Sequence, residues 1–297
     1  MAPPPLIRAA LPSEPELQSF ARAAAHLLID RVQRAPGART VARRAGVGIQ
    51  HLDHRDYAPG DEVRHIDWRQ TARQRRPIVR RFESESVSDW TILVDASSSM
   101  SLAGKWPAAV RMAAALSYAL LQLGHRVGLL AFGARVLAEC PRGRGQQHYA
   151  AIARLLLTLR PAPDGERTEL GVCARRLHGS ASVVALSDFL ADDELRRDLA
   201  LLLQRCAALH AVQLSAAAET RLPAPGDCDL VDVETGARMP VLASDRADDG
   251  AGAERVAMTA RLRRFCARSG IAFTDCDVAQ PWQQTLMRHL VQARCHS

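Results

Sequence analysis

The fold is decided by residues 91–99, which read TILVDASSS. The run Thr91–Val94 is short and apolar and stops at Asp95, a pattern typical of a buried strand followed by a polar loop. Arg126–Phe132 and Ser182–Leu186 are similar runs, and amphipathic segments of helical period separate the three. Short buried strands that alternate with helices predict a parallel sheet covered by helices on both faces.

The same reading, extended outward, assigns the rest of the chain. Predicted helices are Glu14–Val32, Lys105–Leu123, Gln146–Leu159, Glu169–Leu177, Asp192–Ala207, Glu254–Arg268 and Trp282–Ala293. Further predicted strands are Arg135–Cys140, Leu209–Leu214, Ile271–Asp275 and a hairpin of Leu230–Val233 with Met239–Leu242; the acidic Asp245–Gly252 is predicted to be a loop. The predicted fold class is therefore α/β, with a doubly wound, mainly parallel sheet at residues 90–297. Residues 1–89 are predicted to hold a small N-terminal helix and a basic region of short strands and loops.

Composition limits the classes of protein. Hydrophobic residues make up 47% of the chain, enough for a substantial core. The net charge is +7, Lys105 is the only lysine, and residues 31–90 hold 13 arginines against 8 acidic residues, so this segment should prefer anionic surfaces. Seven scattered cysteines without a C-x-x-C spacing disfavour a disulfide framework and a zinc knuckle. With no signal-peptide pattern and no apolar run of membrane length, we expect a soluble cytoplasmic protein without a membrane segment.

Polar side chains follow the predicted strands where they end. Asp95, Ser97 and Ser99 alternate in the loop after the first strand, Asp188 follows the strand Ser182–Leu186, and Thr168 precedes a helix. Ligands of doubly wound sheets bind at the carboxyl ends of the strands. An all-oxygen set of hydroxyls and two carboxylates suits Mg²⁺, or Mn²⁺ or Ca²⁺, better than zinc or copper. With few protein charges, such a metal would favour an acidic side chain of a protein partner as its last ligand.

This arrangement resembles the metal-ion-dependent adhesion site of von Willebrand factor A domains. The resemblance implies Ser97, Ser99 and Thr168 as direct or near-direct ligands, with Asp95 and Asp188 acting through water. Residues 57–68, YAPGDEVRHIDW, followed by TAR at 71–73 and PIVRRFE at 77–83, closely resemble the bacterial family known as domain of unknown function 58. The likeness runs from about Arg44 to the C-terminus.

What this family resemblance implies is a role with other proteins. Its members carry an A-type domain and occur beside MoxR-type AAA+ ATPases, which they are thought to assist in maturation or metal loading of other proteins. The expected partners are such an ATPase or other A-domain proteins, and the expected activity is non-enzymatic. Two positions depart from the family pattern: Glu169 stands where an aspartate is expected, and residues 215–218, SAAA, replace a polar turn with an aspartate.

Several alternatives remain open at this level. Asp95 and its serines could form only a hydrogen-bonded turn, or serve a metal-dependent phosphohydrolase or an aspartyl-phosphate enzyme. The Pro59–Trp68 block could be structural, with a Pro-Gly turn, and His51, His54 and His65 could hold a second metal. Nucleic-acid binding is unlikely, because aromatic side chains are scarce near the arginines. The residues that could instead form a partner-docking surface are Arg73, Arg75, Arg76, Arg80 and Arg81.

Overall fold

The computed structural model describes residues 11–28, 51–57, 66–82, 88–162, 168–177, 181–190, 193–220, 226–232, 237–243 and 245–295. The chain divides into two compact units. One contains residues 1–28 and 87–297, and the other contains residues 29–86.

The larger unit is built on a six-stranded, mostly parallel sheet. Its strands are β3 (Asp89–Asp95), β4 (Arg126–Phe132), β5 (Val136–Gly143), β6 (Ala181–Ser187), β7 (Ala208–Ser215) and β10 (Ala272–Asp277). They lie in the order β10-β7-β6-β3-β4-β5, and only β5 runs antiparallel to its neighbour. The predicted α/β class with a mainly parallel sheet is confirmed. From β3 the chain continues to β4 on one side of it, and later to β6 on the opposite side of β3. The direction in which strands are added therefore changes between β3 and β6, and in such sheets a ligand crevice forms at that point.

Helices cover both faces of this sheet. They are α1 (Glu14–Leu28), α3 (Lys105–Gln122), α4 (Gly145–Thr158), α5 (Asp193–Leu203), α6 (Asp245–Ser269) and α7 (Trp282–Cys295). Ile92 and Val94 of β3 pack in one core with α1, α3 and α7, whereas Leu93 points into the second core with α5 and α6. This alternation explains why the central residues of the strand, Ile92–Val94, are all apolar.

Helix α1 belongs to the sheet unit, although the sequence reading grouped it with the region at residues 1–89. Leu17, Phe20 and Ala24 lie on one stripe of the helix and are buried in the first core. The ring of Phe20 meets that of Trp282 edge to face, with centroids 5.4 Å apart. The apolar stripe that predicts the helix is also what holds it on the sheet. The predicted residues 29–32 lie outside the described part.

Three other predicted elements differ from the structure. The predicted loop Asp245–Gly252 is the start of α6, because acidic residues favour the positive end of a helix dipole and outweigh two glycines. The predicted helix Glu169–Leu177 is a 3-10 helix, Leu170–Arg176. Helix α5 ends at Leu203, four residues earlier than predicted. The predicted hairpin is confirmed as the antiparallel pair β8 (Gly226–Val231) and β9 (Arg238–Ala243).

The smaller unit consists of an antiparallel pair and a short helix, as the prediction of short strands requires. Strands β1 (His51–Asp56) and β2 (Ile78–Phe82) pair, and α2 (Trp68–Gln74) lies between them in sequence. Asp67 caps α2 by accepting hydrogen bonds from the backbone N–H groups of Arg69 and Gln70, at 3.0 and 3.1 Å. The Oγ1 atom of Thr71 accepts the N–H of Ile78 at 3.0 Å. Asp67 and Thr71 of the family-like block therefore have structural roles.

Candidate metal centre

Asp95 is the centre of the site. It ends β3 and is completely buried. Its Oδ1 accepts the N–H of Ser97 at 2.8 Å, and its Oδ2 accepts the hydroxyls of Ser187 at 2.6 Å and Thr168 at 3.3 Å. Hydrogen bonds from three separate segments therefore converge on one carboxylate at the carboxyl ends of β3 and β6.

Ser97 and Ser99 extend the site along the loop after β3. Ser97 precedes the 3-10 helix Ser98–Ser101 in an extended conformation, which turns its side chain and that of Ser99 to the same side. Their Oγ atoms lie 3.0 Å apart, and both side chains are buried. Two hydroxyl oxygens at this separation are suited to share one cation.

Asp188 directly follows β6, beside Asp95. Its Oδ2 accepts from the ammonium of Lys105 at 2.7 Å, and its backbone oxygen accepts the side-chain amide of Gln213 at 3.0 Å. The Oδ1 atom of Asp188 and the Oε1 atom of Gln213 are buried and have no hydrogen-bond partner among the described residues. Buried acceptors without partners are costly and rare, so this end of the site has the chemistry to receive a donor or a cation.

The electrostatics of the site also favour a cation. Burial and, next in size, the nearby negative charge of Asp188 together raise the pKa of Asp95 to about 7, although hydrogen bonds from Ser187 and Ser97 act in the opposite direction. The two carboxylates therefore repel each other in a region from which water is excluded. A divalent ion between them would remove this repulsion.

The five predicted ligands fit a hard cation as a set. Hydrogen bonds join Asp95 to Thr168 and to the backbone of Ser97, and Ser97 to Ser99, while Asp188 acts on Asp95 through its charge. No group of three or more His, Cys, Asp or Glu side chains suited to a metal occurs in the described part of the chain. The site therefore offers hydroxyl oxygens and two carboxylates, the ligand chemistry of Mg²⁺ or Ca²⁺ and not of zinc.

A charged network beside the site was not predicted from the sequence. Lys105, at the start of α3, is 1% exposed and contacts both Asp188 and Glu219; its ammonium lies 2.5 Å from the Oε1 atom of Glu219. Glu219 in turn pairs with Arg255 of α6 at 2.7 Å. The sequence analysis assigned Lys105 only to the predicted helix Lys105–Leu123 and gave it no place in the site. Its one available signal was its identity as the sole lysine in an arginine-rich chain.

Glu219 also accounts for one departure from the family pattern. Residues 215–218 carry no acid, but Glu219 lies in the 3-10 helix that follows them, Ala217–Thr220. Its Oε2 accepts the N–H of Ala216 at 3.3 Å, which fixes the carboxylate against the turn. An acidic side chain therefore reaches the site from this loop after all, one residue beyond the SAAA segment.

The predicted partner-docking arginines are only partly within the described structure. Arg73, Arg75 and Arg76 are exposed, and Arg76 pairs with Asp56 at 3.0 Å. The side chains of Arg80 and Arg81 lie outside the described part, as do those of the three histidines of the alternative metal site. Residues 58–65, the centre of the family-like block, also lie outside it. None of the described helices is long and apolar enough to cross a membrane.

Solved structures similar to this chain share little of its sequence. The conserved hypothetical protein BatB from Bacteroides thetaiotaomicron aligns with 71% of this chain and 100% of its own, at 13% identity and a TM-score of 0.40. An aerotolerance-related membrane protein from Bacteroides fragilis aligns with 70% of this chain and 100% of its own, at 13% identity and a TM-score of 0.39.

Sequence relatives are closer. Uncharacterized proteins from Mycobacterium tuberculosis and Mycobacterium bovis are 31% identical over 265 residues, which cover 84% of this chain and 81% of each relative. Residues 53–255 match the family described as protein of unknown function DUF58. This match takes in most of the antiparallel pair and the short helix of the small unit, and most of the sheet with its candidate metal centre. The chain therefore belongs to the DUF58 family.

Proposed function

We propose that this protein is a non-enzymatic, metal-dependent protein-interaction module with a von Willebrand factor A-like domain. One Mg²⁺ would be held by Ser97, Ser99 and Thr168, with Asp95 and Asp188 balancing its charge. The metal would supply an electrophilic position for an outside ligand. The chain's own residues would orient that position.

The observation that carries the proposal is the convergence of oxygen atoms around Asp95. Thr168 lies 73 residues from Asp95 in the chain, yet its hydroxyl donates to the same carboxylate oxygen as Ser187. The buried Oδ1 of Asp188, which has no hydrogen-bond partner within the described part of the chain, adds a second reason to place a cation there. A merely structural turn would need neither the distant threonine nor an unpaired buried carboxylate oxygen.

The proposed ligand from outside is a carboxylate of a protein partner. Two carboxylates provide at most two negative charges, and the ammonium of Lys105 already neutralises part of that charge. A divalent cation held by such a set would remain positive enough to attract an acidic side chain. By the family resemblance, the partner we propose is a MoxR-type AAA+ ATPase or another A-domain protein, for which this chain would act as an adaptor or co-chaperone in protein maturation.

Metal-dependent capture tests the proposal. The immobilised chain would be exposed to a purified AAA+ ATPase of the MoxR type, and separately to a lysate, with Mg²⁺ or with EDTA. We expect capture with Mg²⁺, loss of capture with EDTA, and the same loss in the Asp95→Ala variant. Asp227→Ala is the matched control, because Asp227 is exposed on β8, which belongs to a different sheet from β3 and β6. Capture that ignores both EDTA and Asp95→Ala would refute the proposal.

A second candidate is a metal-dependent phosphohydrolase that uses the same site. The observation in its favour is the buried set of hydroxyl and carboxylate oxygens around Asp95, because a metal held by such a set could also polarise a phosphoryl oxygen. It predicts Mg²⁺-dependent turnover of phosphate esters that Asp95→Asn abolishes. An arginine-driven anion binder is distinguished from both, because its binding would fall steeply with salt and would be indifferent to EDTA.

A further inference from the structure

We propose that Lys105 is an internal competitor for the metal, and that metal binding transfers its ammonium from Asp188 to Glu219 alone. This inference rests on the proposed function, since it concerns the regulation of the same site. The ammonium lies 2.7 Å from Asp188 and 2.5 Å from Glu219, and the lysine is 1% exposed. It is thus a fixed positive charge beside the candidate metal position.

The ammonium and a divalent cation compete for the same carboxylate. Lys105 already uses one oxygen of Asp188, and only the other oxygen is without a partner among the described residues. Two positive charges at opposite oxygens of one buried carboxylate repel each other strongly, because little water is present to screen them. The metal therefore binds best when Lys105 moves away from Asp188.

Glu219 gives Lys105 a place to go. One oxygen of Glu219 contacts the ammonium, while the other contacts Arg255 and the N–H of Ala216. Lys105 can therefore leave Asp188 and still keep a charged partner, which avoids the large penalty of an unpaired buried ammonium. An exchange between two carboxylates is far easier than a release into an apolar core.

The exchange also links the metal to a helix outside the site. Arg255 lies on α6 and pairs with the carboxylate that would then hold Lys105 alone. A stronger pull from Lys105 on Glu219 changes the balance of the Glu219–Arg255 pair. Metal occupancy is therefore coupled to the turn at Ala217–Thr220 and to α6, and a partner that stabilises the metal stabilises this arrangement with it.

Metal affinity of substituted proteins tests the competition. Mg²⁺ and Mn²⁺ would be titrated calorimetrically into EDTA-treated wild type, Lys105→Met, Glu219→Gln and the double variant. We expect Lys105→Met to bind at least about tenfold more tightly than wild type, equivalent to about 1.4 kcal/mol. Arg261→Met is the matched control. It removes an exposed arginine that pairs with Glu254 within helix α6, and it should leave the metal affinity unchanged.

Glu219 provides a test that a purely structural role would not pass. In Glu219→Gln, Asp188 is the one charged partner that the described residues leave to Lys105, so the metal should bind more weakly than in wild type. In the Lys105→Met background the same substitution should have little effect, because Glu219 acts through Lys105. A fall in affinity that is equally large in both backgrounds would mean that Glu219 acts on the metal directly and would overturn the proposed route.

The wild-type protein offers an independent measurement, since Lys105 is the only lysine. Protein labelled with ¹⁵Nζ-lysine should give one ammonium resonance, and that resonance should shift saturably as Mg²⁺ is added. The double variant, which removes one charge of each sign, replaces Lys105→Met if the single variant does not fold. A resonance that stays in place at saturating metal would overturn the competition.

The outcomes separate the two proposals. Equal metal affinities of wild type and Lys105→Met overturn the competition and leave the metal site intact. Binding by Lys105→Met with no detectable binding by wild type supports both. The absence of metal binding in every variant overturns the competition and the proposed function together.

Discussion

Replacing Asp95 by asparagine should stabilise the metal-free protein. At pH 8 the wild-type carboxylate is ionised, completely buried and beside Asp188. Its pKa rises from 3.8 to about 7, and each pKa unit corresponds to about 1.4 kcal/mol, so the ionised form disfavours folding by roughly 4 kcal/mol. Asparagine has a similar shape and no charge. It must, however, rearrange the hydroxyls of Ser187 and Thr168, and we expect a net gain of about 1–3 kcal/mol.

The pH dependence of this gain has a defined sign. A carboxyl whose folded-state pKa is raised disfavours folding only above its unfolded pKa, and the effect grows until the pH passes about 7. The advantage of Asp95→Asn should therefore be complete at pH 8 and nearly absent at pH 4. Urea unfolding in EDTA at both pH values, with the exposed Asp227→Asn as control, measures it.

Magnesium should cancel or reverse the stability difference between the two proteins. At a Mg²⁺ concentration 100 times its Kd, the wild type should gain about 2.7 kcal/mol, whereas Asp95→Asn should gain little. A variant that is less stable than wild type at pH 8 in EDTA would refute the electrostatic account of Asp95. A variant that gains as much from Mg²⁺ as wild type would refute the role of Asp95 in holding the metal.

Three further outcomes are expected from the described structure. Burial lowers the pKa of His289 to about 3 and that of His210 to about 4, and ring nitrogens of the two side chains lie 3.2 Å apart. Because both pKa values lie below the ordinary 6.5, the free energy of unfolding should decrease as the pH falls below 6.5. For His289 alone the decrease should be about 2 kcal/mol at pH 5. Because Asp95 contributes with the opposite sign in that range, urea unfolding at pH 7.5 and 5 should compare wild type with His289→Gln, and an equal pH dependence in both would contradict the assignment. Asp67→Ala removes the cap of α2 and should lower the free energy of unfolding of the small unit by about 1 kcal/mol, measured by hydrogen exchange of α2, with the exposed Gln74→Ala as control. Gly171→Ala would place its Cβ 2.5 Å from the carboxylate of Asp198, which accepts the N–H of Gly171 at 2.7 Å. The carboxylate would have to move, and the loss of this hydrogen bond should destabilise the protein by about 1–3 kcal/mol. Thermal unfolding measures the effect, and an unchanged midpoint would contradict this contact.

The main features of the fold could be predicted because local pattern and burial agree in this chain. Ile92, Leu93 and Val94 are all apolar because both faces of β3 are covered, and the centres of β4 and β6 share this character. The start of α6 could not be predicted in this way. Asp245–Gly252 has the acids and glycines of a loop, and its acids favour a helix only because the chain continues as a helix to Ser269 and so places them at the positive end of the helix dipole.

The residues of the candidate site could likewise be predicted only in part. Asp95, Ser97 and Ser99 follow one strand, and Asp188 follows its neighbour in the sheet, so topology alone brings them together. Lys105 and Glu219 do not directly follow a predicted strand, so no comparable pattern in the sequence assigned them to the site. A lysine at the start of a helix is usually exposed, and the partner of Lys105 at Asp188 is 83 residues away in the chain. Side-chain contacts of that range depend on how α3 and the turn after β7 pack, which no local pattern specifies.

The most direct test of a metal at Asp95 is the anomalous scattering of Mn²⁺ in crystals of the protein soaked with that ion. We predict one strong peak within about 2.0–2.6 Å of the Oγ atoms of Ser97 and Ser99, and its disappearance in crystals of Asp95→Ala. Crystals soaked at millimolar Mn²⁺ that show no peak between the ends of β3 and β6, or an equal peak in the variant, would contradict the metal centre.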